Sequence, residues 1–327
     1  MAESTQKTDY VVGVDLGGTK ILTGIFTQQL EVIGRTKIST KPERGTKAVI
    51  ERIARCVQEA VDECELSFKQ IRGIGIGAPG TVDAGTGQVL FAPNLGWQNV
   101  ELKKELEAQL GLPVFAENDG NLSTLGVYHA ELESKPRHML GIFLGTGIGG
   151  GIIIDGKLYK GFNKSAGELG HMVIDVGGPK CACGNRGCFE SLAGRQSLFL
   201  KIQTMVKEGH KTVLTEMLGP ELNNMRSGDL RKAIRKGDDL VEQVVIQAAE
   251  YTGIAIANLM NILSPEVIVL GGGIIDALAD EMMPIIVNTA RDYAMLGTDK
   301  GVSLFASKLG DDAGITGAAV IARRETQ

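Results

Sequence analysis

The sequence predicts an α/β protein of two domains. Short apolar runs rich in β-branched residues alternate with stretches of helical period, which implies sheets layered with helices. The pattern then starts again after the charged, proline-containing stretch Glu133 to Arg137. The length of 327 residues fits two domains at roughly 150 residues each.

Tyr10 to Val14 reads as a strand, Gly17-Gly18 as its turn, Lys20 to Phe26 as the returning strand and Val32 to Ile38 as a third, a meander. Thr46 to Leu66 has helical periodicity, Ile71 to Ile76 is a short β-rich run, and Asn99 to Leu110 reads as a second helix. Pro113 to Ala116 is a buried strand, and Asp119 to Glu133 is helical. After the polar linker come a strand at Met139 to Leu144, a glycine turn and a strand at Gly151 to Ile154. Two glycine-turned hairpins thus open two α/β halves, a weak internal repeat. A cysteine-rich loop follows, then mostly helices as far as Leu263. Val267 to Leu270 is a buried strand ending in Gly271-Gly272-Gly273, Ala277 to Met295 is helical, Val302 to Ala306 is a last strand, and Ala313 to Arg323 is a helix of small residues. In such layers, ligands sit at strand ends.

Composition narrows the function. There are 44 glycines against nine Phe, five Tyr and one Trp, yet 22% of residues are charged and 43% apolar, so low-complexity and collagen-like chains are excluded. The excess instead marks places where backbone turns tightly or approaches something closely. A net charge of -5 without any block of like charges argues against a nucleic-acid surface. Met1 to Asp9 is polar and carries no apolar signal core. The longest uncharged apolar stretch, Met139 to Ile154, is shorter than the roughly 20 residues of a spanning helix and is interrupted by glycines, so no membrane segment and a cytoplasmic location are expected.

Cys56 and Cys64 fall on the apolar face of a predicted helix with Ile50, Ile53 and Val57 and read as small buried hydrophobes. Cys181, Cys183 and Cys188 are different. Three thiols this close in a reducing compartment point to a metal site before a disulfide.

Gly75-x-Gly77-x-x-Gly80 and Gly145-x-Gly147-x-x-Gly150 match the dinucleotide fingerprint. Neither is followed by the helix that fingerprint needs: Pro79-Gly80 blocks one, and Ile152-Ile153-Ile154 favours a strand. Gly13 to Lys20 comes close to a P-loop, but Thr19-Lys20 reverses the required order. Two readings remain, plain hairpin turns or glycine turns presenting bare backbone N–H groups and a hydroxyl to phosphates. Thr19 and Thr146 supply the hydroxyls. Asp15, at a strand end beside the first turn, suits Mg²⁺ held through water.

Asp15-Leu-Gly-Gly-Thr-Lys20, Leu144-Gly-Thr-Gly-Ile-Gly-Gly-Gly151, Gly167-Glu-Leu-Gly-His171, Cys181-Ala-Cys-Gly-Asn-Arg-Gly-Cys188 and Gly271-Gly-Gly-Ile274 together resemble the ROK family of sugar kinases and repressors. These motifs run in family order along nearly the whole chain. The resemblance implies the actin-like ATPase (ribonuclease H-like) fold, with ATP and a hexose meeting in a cleft between two α/β domains that closes over the sugar. The domains are expected at 1–124 plus 311–327 and at 125–310. Asp15, Gly17, Gly18, Thr19, Lys20, Gly145, Thr146 and Gly147 are then the phosphate-contacting positions, and Gly271, Gly272 and Gly273 lie near the adenosine.

Glu117-Asn118-Asp119 lies at a strand-to-helix junction, where an Asp or Asn reads first as an N-cap on the residues alone. The resemblance makes Asp119 the base that accepts the proton of the sugar 6-hydroxyl, and Asn118 a sugar ligand. A loose phosphoryl-transfer transition state needs that proton removed late, so positioning outweighs a raised pKa. Gly120 stands where the family usually has alanine. Gly80, Asn94, Glu168, His171 and Glu190 are the other sugar positions implied. Carboxylates and imidazole suit a polyol, whereas an unassisted reading of Glu168 and Glu190 is a solvated surface charge. The resemblance also makes His171 the fourth ligand of a closed structural Zn²⁺ site with Cys181, Cys183 and Cys188, one ring nitrogen on the metal and the other toward the sugar.

The implied activity is ATP-dependent phosphorylation of a hexose, glucose first, with Mg²⁺ and structural Zn²⁺. The alternatives are a ROK kinase for fructose, mannose, allose, N-acetylglucosamine or N-acetylmannosamine, with Ala92 to Trp97 among the discriminating loops, or a sugar-sensing regulator. Regulators of this kind carry an N-terminal DNA-reading module, and nine residues before the first strand are too few for one. Family resemblance further implies a homo-oligomer, dimer or tetramer.

Overall fold

The computed structural model describes residues 9–327. Of the polar segment Met1 to Asp9, only Asp9 falls within the described residues. The chain divides into two compact units. The first takes the described residues up to Lys135, Leu158–Gly167 and Asp311–Gln327, and the second takes Pro136–Lys157 and Glu168–Gly310.

In the first unit, β1 (Tyr10–Leu16), β2 (Lys20–Phe26) and β3 (Val32–Ser39) form the expected meander. There follow α1 (Thr46–Glu63), β4 (Ile71–Ala78), β5 (Thr81–Asp83), β6 (Gln88–Ala92), β7 (Trp97–Val100), α2 (Leu102–Leu110), β8 (Val114–Asn118) and α3 (Asp119–Ala130). The main sheet has the order β3-β2-β1-β4-β8, with β4 parallel to β1 and β8 parallel to β4. β1 is central, and Val11, Val12 and Val14 are all fully buried, as in a strand covered on both faces. One face carries the apolar side of α1, where the Thr23 hydroxyl donates to Cys56 Sγ at 3.3 Å.

The second unit contains β9 (Met139–Leu144), β10 (Ile148–Ile154), β11 (Lys157–Leu158, whose second residue begins the segment assigned to the first unit), α4 (Phe189–Ala193), α5 (Arg195–Lys207), α6 (Val213–Leu218), α7 (Ser227–Arg235), α8 (Asp239–Leu263), β12 (Val267–Gly271), α9 (Ile275–Tyr293) and β13 (Ser303–Ala306). Its sheet has the order β11-β10-β9-β12-β13, which repeats that of the first. The internal repeat read from the two glycine hairpins is therefore real at the level of topology. Val267, Ile268, Val269 and Leu270 make β12 a continuous buried run, joined in one core to Phe189, Leu198, Val244 and Ile256.

The chain ends in α10 (Asp312–Glu325), which covers the second face of the first sheet. A Cβ on Gly75 would stand 1.9 Å from the Ala318 carbonyl oxygen, so the helix backbone rides directly on the strand and only glycine fits. α10 crosses α3 just as closely. A Cβ on Gly126 would lie 2.0 Å from the Ala313 carbonyl oxygen.

Three sequence expectations change. The boundary at 124/125 would cut α3, which stays whole because its small residues are packed on α10; the unit runs to Lys135, and Leu158–Gly167 joins it as well. The helix expected from Asn99 begins at Leu102, because Trp97 to Val100 pairs with β6. With β5 these strands form a three-stranded sheet, β5-β6-β7, that the sequence reading did not contain. Its signal was present in Asp83-Ala-Gly85-Thr-Gly87, a turn in which Asp83 Oδ1 accepts the Gly85 N–H at 2.9 Å.

Candidate functional site

In the first unit the parallel strands end together. Asp15 on β1 pairs in register with Gly77 on β4, and Gly77 pairs with Glu117 on β8. Strand ends at such an edge are where α/β sheets place ligands. Beyond Asp15, the β1–β2 turn closes through the Gly17 N–H to the Lys20 carbonyl at 2.9 Å, and the Thr40 hydroxyl donates to the Gly17 carbonyl at 2.6 Å. Asn94 packs against the same turn, its Cβ 3.5 Å from where a Gly18 side chain would begin.

Asp15 faces the first turn of α10, where its Cγ lies 3.0 Å from the Cβ that Gly314 lacks. Burial raises its pKa to about 6; Lys20 opposes that shift and Asp311 adds to it. The carboxylate is nevertheless charged at neutral pH. The Lys20 ammonium does not stand alone beside the turn, because it pairs with Asp311.

At the end of β8, Asn118 does cap α3. Its Oδ1 accepts the Asn121 N–H at 3.0 Å, and its amide donates to the Gly80 carbonyl at 3.0 Å. Gly80 itself has φ of +80°, and a Cβ there would meet the Phe91 carbonyl oxygen at 2.1 Å, so the small sheet supports the β8 end. Asp119 is the first residue of α3, with Oδ1 accepting the Gly120 N–H at 2.8 Å. The capping reading and the binding reading are thus compatible: the cap is what fixes the pair.

In the second unit, the β9–β10 turn closes through the Gly145 N–H to the Gly147 carbonyl at 2.8 Å. Gly272, with φ of +86°, lies so close to this hairpin that a Cβ would stand 2.7 Å from the Leu144 carbonyl oxygen. The two glycine loops are therefore neighbours. Between them is Arg195, at the start of α5, whose guanidinium donates to Thr146 Oγ1 at 2.6 Å and lies 3.6 Å from the Cβ position of Gly273. Arg195 escaped the sequence reading because its signal is purely spatial. It helps line a cavity of about 470 Å³ with Thr146, Phe199, Leu200, Met225 and Arg226, a volume suited to a small organic ligand.

His171, Cys181, Cys183 and Cys188 come together, the cysteines as their spacing suggested and His171 as the family resemblance implied. Their ligand atoms all lie within 4.8 Å of one another. Cys183 Sγ and Cys188 Sγ are 3.7 Å apart, and Cys181 Sγ is 3.7 Å from His171 Nδ1. A tetrahedral zinc ion with Zn–S near 2.3 Å requires sulfur separations of about 3.8 Å. The donor set and its spacing fit such an ion. Burial, with the neighbouring thiols Cys183 and Cys181, pushes the Cys188 thiol up to about 12, whereas the Asn185 backbone hydrogen bond lowers that of Cys183.

The opposite ring nitrogen, His171 Nε2, faces Glu168 Oε2 at 4.0 Å. Burial raises the Glu168 pKa, with His171 opposing and Glu190 adding to the shift. Glu190 is not a solvated surface charge. Its Oε2 accepts the Ile148 N–H at 2.9 Å, and Cys181 Sγ lies 3.8 Å from Oε1, so the residue joins the cysteine cluster to the glycine hairpin.

Among the described residues no helix is long and apolar enough to cross a membrane. The sequence model of the ROK family matches residues 11–325. A glucokinase of Halalkalibacterium halodurans is 34% identical over 317 residues, 97% of this chain and 96% of that one. A putative xylose repressor of a Caldicellulosiruptor species is 34% identical over 272 residues, 83% of this chain and 67% of the repressor. Among solved structures, a ROK family glucokinase from Streptomyces griseus, in complex with glucose and AMPPNP, matches with a TM-score of 0.86 at 30% identity over 96% of this chain and 99% of that one. The repeated sheet order is accordingly that of the actin-like ATPase (ribonuclease H-like) fold, and the chain belongs to the ROK family.

Proposed function

We propose that this chain transfers the γ-phosphoryl group of ATP to the 6-hydroxyl of a hexose, glucose first. The observation that carries the reading is the Asn118–Asp119 pair, locked by the α3 cap on the same sheet edge as Asp15 and the Gly17–Lys20 turn. A proton acceptor and a phosphate turn are thereby held on one rigid frame, which is most of what phosphoryl transfer asks of a protein. The likeness to glucokinases supports glucose as the acceptor, and the solved relative holds glucose with an ATP analogue.

Asp119 takes the hydroxyl proton as the sugar oxygen attacks the γ-phosphorus and ADP leaves. Its Gly120 hydrogen bond and helix position orient the carboxylate for that task. Asn118, Gly80 and Asn94 are sugar ligands in this reading, and Glu168, His171 and Glu190 are acceptors for its hydroxyls. Gly17, Gly18, Thr19 and Lys20, with Gly145, Thr146 and Gly147, meet the phosphates. Gly271, Gly272 and Gly273 meet the adenosine, and Arg195 adds a guanidinium beside Thr146. Asp15 would hold Mg²⁺, which would offset phosphate charge.

His171, Cys181, Cys183 and Cys188 would hold Zn²⁺ as a structural ion, one that would brace the loop and not supply an activated water, with His171 Nε2 left on the side of Glu168. A cytoplasmic location and a homo-oligomer complete the reading. The exposed side chains Ile262, Tyr293, Met295 and Leu296 offer apolar surface for the latter.

The test is ADP release measured over a panel of hexoses, together with Asp119→Asn. Turnover on glucose, lost by about 100- to 10,000-fold in the variant with sugar binding retained, is the expected result. No turnover on any hexose refutes the kinase reading. Sugar binding by calorimetry in a chain without turnover would favour the sugar-sensing reading, which the similarity to a putative xylose repressor supports.

A further inference from the structure

Glu117 is 2% exposed, and a carboxylate so buried requires compensation for the hydration it gives up. Its Oε1 accepts the Asn118 N–H at 3.0 Å and the Asn121 side-chain amide at 3.1 Å. Asn118 in turn caps Asn121, so Glu117, Asn118 and Asn121 enclose the turn that carries Asp119. The other oxygen, Oε2, meets Lys160 Nζ at 2.5 Å. A charged acceptor holds such N–H groups more strongly than a neutral one.

Lys160 comes from Leu158–Gly167, a segment flanked on both sides by residues of the second unit yet belonging to the first. Apolar burial does not hold it there, because Tyr159 is 48% exposed and Phe162 fully exposed. Its attachments are ionic. Besides Lys160–Glu117, Lys164 Nζ meets Asp83 Oδ1 at 2.6 Å, and the segment closes on itself through the Ala166 N–H to the Lys160 carbonyl at 3.1 Å. Gly167, with φ of +101°, then turns the chain into Glu168.

We propose that Lys160 and Glu117 are positioning residues for phosphoryl transfer, with Leu158–Gly167 acting as a strap whose ammonium fixes the Glu117 carboxylate and, through it, the Asn118–Asp119 turn. The proposal rests on the kinase reading above. The strap also links the setting of the proton acceptor to the segment that supplies Glu168, an acidic residue proposed to touch the sugar. Neither Lys160 nor Glu117 contacts substrate in this scheme. Both act on the orientation of Asp119.

The experiment compares wild type, Lys160→Met, Lys160→Arg, Glu117→Gln and the Lys160→Met/Glu117→Gln double variant by steady-state kinetics on glucose, with circular dichroism as the check of folding. Lys160→Met is expected to lower kcat at least tenfold while the KM for glucose stays within about threefold. Lys160→Arg recovers most of kcat, and the double variant is no slower than Glu117→Gln alone because the two residues act as one unit. Lys160→Met with kcat within twofold of wild type overturns the proposal, as does a loss that falls wholly on KM. If Lys160→Met does not fold, Glu117→Gln and Lys160→Arg decide: near-normal kcat in the first, or no retained activity in the second, overturns it. A wild type inactive on every hexose would bring down the kinase reading and this proposal with it, whereas an active wild type with indifferent variants would bring down the proposal alone.

Discussion

Replacing Asp15 by Asn should make the protein more stable and less active. Burial is the largest influence on Asp15 and raises its pKa from 3.8 to about 6. At about 1.4 kcal/mol for each pH unit, holding the charged carboxylate costs the folded state about 3 kcal/mol at pH 7. The sign follows from proton affinity. A raised carboxylate pKa means the folded chain binds the proton more tightly than the unfolded chain does, so stability is lost as pH rises from about 4 to about 6. Asparagine removes that dependence while keeping the side-chain shape, although its amide needs a hydrogen-bond partner, so a gain of about 1–3 kcal/mol is expected at pH 7 and about half as much at pH 5. Urea unfolding of both proteins at the two pH values measures it, provided each transition is fitted for the unit that contains Asp15. Turnover measured alongside should fall, because the variant loses the negative charge proposed to hold Mg²⁺ near the phosphates. An Asp15→Asn protein less stable than wild type at pH 7, or a stability difference unchanged between pH 7 and pH 5, would refute the reasoning. Such a trade of stability for activity is the usual mark of a working site.

Arg195→Ala should raise the KM for ATP by about 10- to 100-fold, the loss of one charge-assisted contact, with the KM for glucose little changed; an equal rise for both substrates would remove Arg195 from the nucleotide side. Metal analysis of freshly purified protein should find one zinc per chain, and Cys188→Ser should lower both zinc content and melting temperature; a zinc-free protein of undiminished stability would contradict the structural role. Gly75→Ala should destabilise by at least about 2 kcal/mol in urea, since its Cβ would stand 1.9 Å from the backbone of α10, and a neutral result would mean that α10 does not ride directly on β4.

What could be read without coordinates was whatever the chain settles locally. The β1–β3 meander needs only a glycine turn between neighbouring runs, the α3 cap needs only Asn118 before an apolar helix, and Cys181 to Cys188 can close on an ion within one loop. The repeat of the two hairpins was legible for the same reason, and it carried the fold with it, since the same 3-2-1-4-5 sheet order follows in both units. The pieces that escaped depend on partners far along the chain. Arg195 acquires meaning only because Thr146 and Gly273, 49 residues before it and well beyond it, fold to either side. Glu190 was named through the family resemblance, but nothing local shows that Ile148, 42 residues away, presents an N–H to it. Lys160 lies in an unremarkable polar stretch, and nothing local says that Leu158–Gly167, flanked in sequence by residues of the second unit, belongs to the first together with Glu117. In each case a charged side chain is fixed by a polar group distant in sequence. The glycines announce where backbone must come close to something, whereas the residues that aim the chemistry are recruited afterwards from whatever the fold brings to that place. A glycine-rich sequence therefore discloses the position of a site more readily than its electrostatics, and the variants that separate the two are those of Asp15, Arg195 and Lys160 and not those of the glycines themselves.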